Sequence, residues 1–494
     1  MASNFQSKIK AGTANGSKKS LFQVKISKLI KSDSQVFSSA PHRVVYARAG
    51  GEDLIQNGQL NGEPIEPDMA MALKTIVWGS ACSQICPYWQ GMSFSFHSGG
   101  DVNAFGLKCP SNGTKNFLIC VQAYILKNLL FDKKAKNSIH QKFYNVEGDS
   151  HRSARGSGRN SLLNKERKYQ YYGVDTPLFP STKKHRTPSS IFRTNILRPT
   201  DRIQSEILIG GLTSLFSKVS DGHGGILCFP SSDNCFEPTS NYTMDGVTEK
   251  LHIFRSDKEE ELRSTIKKFL SLITQENGNG LLSILYSLIL TRGFDRLKKE
   301  MQDQKDTPMI DSNGDCIQPL LNLLLLGRAT PYLHNGIMCT DDGDDADPEF
   351  SNIEKMGVMN RSELGFLLWE FNEDKTALFN VGSRLKTPIY PIWITCCNQQ
   401  YGILFNPNKE LMKSYQAERR FQLFYYADHR GKKDEVIEET TLTINNSNTN
   451  QQNKDLDYGL HDFDEIEENP LEQAIKSKWS AAHIEWNKTT PYVW

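Results

Sequence analysis

The sequence contains no hydrophobic run long enough to cross a bilayer. Its most apolar stretch, Leu281 to Leu290, is far shorter than the ~20 residues that a membrane-spanning helix needs, so we interpret it as a buried core helix and expect no membrane partner. The sequence also lacks net charge, because 58 Lys and Arg residues and 57 Asp and Glu residues leave a balance of +1. This balance predicts no long-range attraction to a charged partner. We expect no nucleic acid partner, although residues 133–203 are basic.

Few of the residue patterns that hold a metal ion or a cofactor are present. There is no glycine-rich phosphate loop and no Ser-His-Asp arrangement. Asp311 to Asp315 has the alternating spacing of a calcium-binding loop, but Cys316 replaces the glycine and Asn322 replaces the bidentate glutamate, which favours a polar turn. The close cysteine pairs lack the paired spacing of a zinc site: Cys82 with Cys86, and Cys396 with Cys397. We therefore predict no metal ion and no cofactor.

The chain has ten cysteines and no secretory hydrophobic segment at its N-terminus. Cysteines in a chain of this kind are typical of reduced thiols rather than of a disulfide framework. We therefore expect an intracellular protein, in the cytoplasm or alternatively in the nucleus.

A polar loop runs directly into an apolar helix in the stretch from Gly106 to Phe131. Residues of the predicted helix repeat at three- and four-residue spacing: Val121, Tyr124, Ile125, Asn128 and Leu129. The first turn of this helix is predicted at Gly113 to Asn116. The unpaired N–H groups and the positive dipole end of such a turn can lower the pKa of a thiol and hold an oxyanion. No cysteine stands at that turn.

The distribution of residue types predicts an α+β protein in which helices precede a small antiparallel sheet. Short aromatic and β-branched runs between residues 385 and 426 predict that sheet, and Met92 to Phe96 alternates like a strand. Residues 133–202 carry sixteen Lys and Arg residues and only five Asp and Glu residues, which is typical of an inserted disordered loop. We divide the chain into four segments: a flexible tail at 1–40, the first part of the domain at 41–132, a basic disordered insertion at 133–203, and the rest of the domain at 204–494, which includes an acidic polar loop at 430–470.

The helix from Val121 to Phe131 resembles the helix of the MINDY deubiquitinases, which are papain-like cysteine proteases that cleave polyubiquitin. Further motifs resemble the same family in the same order: Leu323 to Ala329, a predicted helix at Glu363 to Leu367, Val381 to Trp393, Leu423 to Tyr426, and Ile475 to Trp486. The resemblance covers residues 70–131 and 205–494. It is strongest to the branch of the fourth family member and, within it, to an inactive B-type paralogue. It implies a papain-like body with a helical lobe.

The resemblance also implies where three catalytic groups should stand. Active members have a glutamine of the oxyanion hole, a cysteine nucleophile and a histidine base, and the match places Met92, Lys115 and Gln400 at these positions. A lysine that attacks an isopeptide forms another stable amide, so it cannot turn over. A glutamine cannot exchange a proton near neutral pH. The resemblance therefore implies that no catalytic residue is intact, and Cys109 and Cys120 remain as fallback thiols.

Three functions follow as hypotheses. The first is an inactive ubiquitin carboxyl-terminal hydrolase that binds polyubiquitin or a ubiquitinated protein without cleaving it. The second is an active cysteine-type deubiquitinase that uses a shifted thiol, Cys109 or Cys120, with a distant histidine. The third is an intracellular scaffold that acts through the basic insertion.

Overall fold

The computed structural model describes residues 62–99, 101–110, 113–132, 196–237, 239–339, 354–370, 381–428, 440–445 and 469–487. The predicted tail at 1–40, most of the basic insertion and most of the acidic loop at 430–470 lie outside the described residues. Ten α-helices occur in the described ranges: α1 (Pro67–Trp78), α2 (Lys115–Phe131), α3 (Asp201–Val219), α4 (Glu259–Lys268), α5 (Leu270–Thr274), α6 (Gly280–Arg292), α7 (Phe294–Met301), α8 (Gln318–Leu326), α9 (Ser383–Lys386) and α10 (Pro470–Lys476).

The strands of the described ranges form three sheets. A three-stranded sheet has the order β1 (Glu63–Pro64), β3 (Leu251–Ser256), β2 (Gly225–Pro230), and a two-stranded ribbon pairs β4 (Ile337–Cys339) with β5 (Glu354–Met356). A six-stranded sheet runs in the order β11 (His483–Trp486), β10 (Thr440–Asn445), β9 (Arg420–Tyr426), β8 (Gln400–Phe405), β7 (Ile392–Cys397), β6 (Gly365–Trp369). Its neighbours are antiparallel except β6 and β7, which are parallel.

Two faces of the six-stranded sheet bury separate sets of side chains. Ile394 and Ile403 lie opposite each other on the face that belongs to the main core, where α2 packs against β7 and β8. Trp393 and Leu404 lie on the other face, in a second core that includes Ile475 of α10. The sheet is therefore covered on both faces, as its nearly continuous apolar strands require.

α2 is buried on nearly all sides, whereas its sequence pattern predicts one buried face. α3 packs closely against it because two glycines leave room for its side chains. A Cβ on Gly211 would lie 3.0 Å from Cγ1 of Ile125, and a Cβ on Gly210 would lie 2.6 Å from Oδ1 of Asn128. The close helix pair fixes α2, and with it the first turn that carries Lys115, relative to the rest of the core.

Several predicted elements are confirmed by the structure. The apolar run at 281–290 is the interior of the buried helix α6. The apolar run from Leu320 to Leu326, which Pro319 before it and Gly327 after it predict to be a helix, lies in α8. This helix ends at Gly327 with φ 75°, a conformation that glycine adopts readily. The predicted sheet at 385–426 contains β7, β8 and β9.

Other predictions are wrong. Glu363 to Leu367 is not a helix, because Gly365 begins the buried strand β6. Met92 to Phe96 forms no strand, and only Phe96 makes a single bridge, to Leu107. The insertion ends earlier than predicted, since α3 begins at Asp201. No helix in the described ranges combines the length and the apolar character that a bilayer crossing needs.

Candidate functional site

Lys115 is the first residue of α2 and lies in the protein interior, with 7% of its surface exposed. Gly113 and Thr114 before it are also buried, so the whole first turn of the helix is enclosed. The N–H groups at the start of the helix and the helix dipole create a positive potential at the point where the Lys115 side chain starts. A site of this kind favours negative charge, and the chain places a cation there.

The ammonium of Lys115 is surrounded by groups that act on its charge in opposite directions. Burial lowers the pKa of Lys115 below its ordinary value, because the charged form loses water. Asp428 opposes this shift through its negative charge, and Cys109 opposes it to the extent that its thiol ionises. The structure therefore brings Lys115, Cys109 and Asp428 within electrostatic reach of one another.

Asp428 connects three segments that are far apart in the sequence. It follows the end of β9 with φ 41°, an uncommon backbone conformation for a residue with a side chain. Its Oδ2 atom accepts a hydrogen bond from the N–H of Cys109, and its Oδ1 atom lies 3.1 Å from Nε2 of His97. Beside it, the hydroxyl of Tyr426 donates a hydrogen bond to the carbonyl of Leu107. Sequence reasoning missed both Asp428 and His97.

Met92 lies beside the start of α6. Its carbonyl accepts a hydrogen bond of 3.0 Å from the N–H of Leu281, at the start of α6, and its half-buried side chain packs against the main core. The residue that the resemblance places in the oxyanion hole thus contacts the start of α6.

Gln400 is the first residue of β8 and is half-buried. It pairs directly with Cys397, and the alternation along β8 puts it on the same face as Leu404, the face that α10 covers. Its neighbour Tyr401 points to the other face, where the thiol of Cys120 on α2 contributes to raising its pKa. The side chain at position 400 therefore does not share the sheet face on which α2 packs.

The two fallback thiols have different surroundings. Cys120 is buried inside α2, and burial raises its thiol pKa far above the ordinary value, so it remains protonated and unreactive. Cys109 is also buried, and its Sγ atom donates to the carbonyl of Leu107 over 3.3 Å. Of the two, Cys109 is the thiol that acts on the pKa of Lys115.

The loop from Asp311 to Asp315 packs against the other side of the first turn. Asp311 accepts hydrogen bonds from the N–H groups of Asn313 and Asp315, which confirms the predicted polar turn. A Cβ on Gly113 would lie 2.3 Å from the carbonyl carbon of Gly314, so the two backbones are in direct contact. Among the described residues, no group of three or more His, Cys, Asp or Glu side chains could hold a metal ion.

Two further contacts hold this loop in place. The indole N–H of Trp89 donates to the carbonyl of Gly314 over 2.8 Å, in a buried position. The side-chain amide of Asn116 donates to the carbonyl of Cys316 over 3.2 Å. The first turn of α2 is therefore fixed between the Asp428 side and the Gly314 side.

Replacing Lys115 by methionine is expected to stabilise the protein at neutral pH. Burial lowers the pKa of the Lys115 ammonium in the folded state, so the folded chain gives up this proton more readily than the unfolded chain does. Keeping the ammonium charged therefore lowers the stability of the folded state. This loss of stability is fully present below the folded-state pKa of Lys115. It disappears as pH rises through that pKa towards 10.5, the ordinary value for a lysine. The stability gap between the variant and the wild type should therefore shrink with rising pH, as urea unfolding at pH 7 and pH 10 would measure.

Lys268→Met is the matched control for this experiment, because Lys268 is exposed at the end of α4. Its removal takes away no buried charge and should change stability little at either pH. A Lys115→Met gap that stays constant between the two pH values would contradict a buried ammonium.

Comparisons with known proteins agree with the resemblance seen in the sequence. The family model described as "Deubiquitinating enzyme MINDY-3/4, conserved domain" matches residues 74–157 and 178–488. Proteins named "Probable ubiquitin carboxyl-terminal hydrolase MINDY-4" from Xenopus tropicalis and Homo sapiens are each 26% identical, over 435 and 437 residues, and each match covers 88% of this chain and 47% of the relative. No solved structure matches the chain.

A second group of relatives matches a shorter part. "Ubiquitin carboxyl-terminal hydrolase MINDY-3" of Xenopus tropicalis is 31% identical over 176 residues, which is 35% of this chain and 37% of the relative. The chain spans about half the length of the curated MINDY-4 relatives that it matches. Since the family model covers well over half of the chain, the chain belongs to the MINDY-3/4 family of deubiquitinating enzymes.

Proposed function

We propose that this chain is a catalytically inactive member of its family that binds polyubiquitin without cleaving it. The observation that carries the proposal is Lys115, which occupies the first position of α2, where the family resemblance assigns the nucleophilic cysteine. Relatives are named ubiquitin carboxyl-terminal hydrolases, which supports ubiquitin as the partner. The inactive B-type branch of the family fits this proposal.

The chemistry of an amine at position 115 supports inactivity. Attack of the Lys115 amine on an isopeptide carbonyl would release the substrate amine and leave ubiquitin joined to Lys115 by a new amide. Water does not open an amide at a useful rate, whereas it readily opens the thioester of a cysteine enzyme. One event at most would occur on each molecule, and no turnover would follow.

A second reason for inactivity, independent of Lys115, is that Gln400 stands where the resemblance assigns the histidine base. Gln400 neither accepts nor releases a proton near neutral pH, so it can neither activate a nucleophile nor protonate a leaving amine. Its side chain also lies on the sheet face opposite the face on which α2 packs. The histidine that contacts Asp428 is His97, whose Nε2 atom is 3.1 Å from Oδ1 of Asp428.

One observation favours an active enzyme as the second candidate. Cys109 lies within electrostatic reach of the Lys115 ammonium, and a neighbouring cation favours the thiolate form of a cysteine. His97 lies on the other side of Asp428 from the N–H of Cys109. In this reading, Cys109 is the nucleophile and His97 is the distant base.

A ubiquitin probe with a thiol-reactive C-terminus distinguishes the two candidates. We expect no adduct on the wild-type chain and an adduct on Lys115→Cys, because the variant places a thiol where the helix dipole favours its thiolate. The Cys109→Ser and Cys120→Ser variants identify the labelled thiol if the wild type reacts. A wild-type adduct that disappears in Cys109→Ser would overturn the proposed inactivity.

Binding is measured separately, by retention of free polyubiquitin on the immobilised full chain. We expect retention by the wild type and by Lys115→Cys alike. If neither form retains chains and Lys115→Cys remains unlabelled, the binding half of the proposal is wrong, while the loss of catalysis stands.

A further inference from the structure

Three basic side chains surround the exposed Thr387 at the junction between α9, α10 and the six-stranded sheet. Thr387 is the residue after α9, and Pro388 follows it. The Nζ atom of Lys478, two residues after the end of α10, lies 3.5 Å from Oγ1 of Thr387. The guanidinium of Arg361 donates to the carbonyl oxygens of Thr387 and Pro388, at 2.7 Å each.

The third cation is Lys386, directly before Thr387. Its Nζ atom donates to the carbonyl of Ser477 over 3.2 Å, so it connects α9 to the end of α10. The cluster has one carboxylate near it, Glu418, at 3.8 Å from Nζ of Lys478. Of the three cations, Lys478 contacts the Thr387 hydroxyl, Arg361 binds the backbone carbonyls of Thr387 and Pro388, and Lys386 precedes Thr387 in the chain.

The two lysines are held in this cluster against the cost of burial. Burial lowers the pKa of Lys478, the charge of Arg361 lowers it further, and Glu418 raises it. Burial also lowers the pKa of Lys386. An additional anion at this point would relieve the repulsion between Lys478 and Arg361.

We propose that Thr387 is a phosphorylation site whose phosphate binds Lys478, Lys386 and Arg361 and fastens α10 to the sheet. The Thr-Pro dipeptide is the sequence that proline-directed kinases accept, and the Thr387 hydroxyl is exposed to one. The Thr387 backbone lies outside the helical region, with φ −122° and ψ 71°, and α9 ends there, as is common directly before a proline. This modification goes beyond ubiquitin binding and does not depend on it.

The reaction needs ATP and a kinase. Oγ1 of Thr387 bonds to the γ-phosphorus while the bond from that phosphorus to the ADP oxygen breaks, and the hydroxyl proton passes to the carboxylate base of the kinase. The product carries about two negative charges and three acceptor oxygens at neutral pH. These oxygens can accept charge-assisted hydrogen bonds, first from Lys478, whose Nζ atom already lies 3.5 Å from Oγ1 of Thr387.

A consequence follows for the C-terminal segment. Lys478 lies over the ring of Trp479, at 4.6 Å from its centroid, and Trp479 contacts Trp393 of β7 in an edge-to-face arrangement at 5.4 Å. A phosphate bound to Lys478 would therefore hold Trp479 and α10 against the sheet. The modified protein should unfold at a higher temperature.

The test uses the full chain, ATP and a proline-directed kinase of the mitogen-activated class. We expect mass spectrometry to find phosphate on Thr387 and the melting temperature of the wild type to rise by about 2–4 °C relative to equally treated Thr387→Ala. The Lys478→Met variant should still be phosphorylated, but its melting temperature should rise by less than about 1 °C over its own unmodified form.

Thr307 provides a matched control inside the described residues, because it is exposed, precedes Pro308 and follows Asp306. A phosphate there would meet a carboxylate, so Thr307→Ala should show the same melting shift as the wild type. Absence of phosphate on Thr387 would overturn the proposal. So would a thermal shift that persists in Thr387→Ala or that is undiminished in Lys478→Met.

Discussion

Replacing Lys74 by methionine is expected to lower the free energy of unfolding by about 3–5 kcal/mol, the cost of leaving one partner of a buried ion pair alone. Lys74 on α1 and Asp245 are both completely buried, and their charged atoms are 3.3 Å apart. The Lys74 ammonium also donates to the carbonyl of Thr243 over 2.5 Å and lies 4.7 Å above the ring of Tyr242. Methionine satisfies none of these groups. Urea unfolding at pH 7 would measure the loss.

The double variant Lys74→Met/Asp245→Asn is the control for this prediction. Asp245 accepts hydrogen bonds from the N–H groups of Val247 and Thr248, at 2.9 and 2.7 Å, which asparagine can preserve through its carbonyl oxygen. With both charges removed, the double variant should lose less stability than the sum of the two single variants. Strict additivity would contradict the assignment of a coupled pair.

Trp89→Ala is the second substitution with a large expected effect, about 3–5 kcal/mol of unfolding free energy. Trp89 is fully buried, and its ring makes edge-to-face contacts with Trp78 at 6.3 Å and with Phe117 of α2 at 5.5 Å. Its indole N–H also fixes Gly314 beside the first turn of α2. Removal would open a large cavity and release the loop from Asp311 to Asp315.

Two further substitutions separate the effect of the lost ring from the effect of the lost hydrogen bond to Gly314. Trp89→Phe keeps an aromatic ring but leaves the Gly314 carbonyl without its donor, so it should cost less than Trp89→Ala yet still about 1–3 kcal/mol. Tyr88→Ala changes an adjacent aromatic residue that is 51% exposed, and it should stay within about 0.5 kcal/mol of the wild type. Equal losses for Tyr88→Ala and Trp89→Ala would refute the buried role of Trp89.

The sequence predicts those parts of the site that follow from neighbouring residues, such as a helix and the residue at its first turn. The apolar run after Asn116 predicts α2, and its start places Lys115 on the first turn, as the structure shows. The proline and glycine that bound α8 act through their own backbone preferences, so that prediction also holds. Whether Met92, Lys115 and Gln400 stand for lost catalytic groups remains a prediction from the resemblance.

The contacts that complete the site have no local signal. His97 and Cys109 meet Asp428 across more than three hundred residues, because the end of β9 packs beside the loop that precedes α2. Neither the spacing nor the residue types around Asp428 predict this meeting. Tertiary structure alone creates it.

Short apolar runs show the same limit for the fold. The run around Gly365 has no periodicity that separates a helix from a buried strand, and parallel pairing with β7 decides in favour of the strand. Ser256 and Glu259 have the spacing of a helix-capping pair, but Ser256 ends β3 and the residue before α4 is Lys258. Ser256 pairs with Gly225 of β2 as part of the sheet, so it does not cap α4.

A cleavage assay with a panel of polyubiquitin linkages tests the central claim most directly. The purified full chain is incubated with each linkage, and the products are separated on a gel beside an active cysteine-type deubiquitinase. We expect all chains to keep their length, because an amine and an amide occupy the positions that the resemblance assigns to the nucleophile and the base. Shortened chains with the wild type, abolished by Cys109→Ser, would contradict it and establish Cys109 as the working thiol.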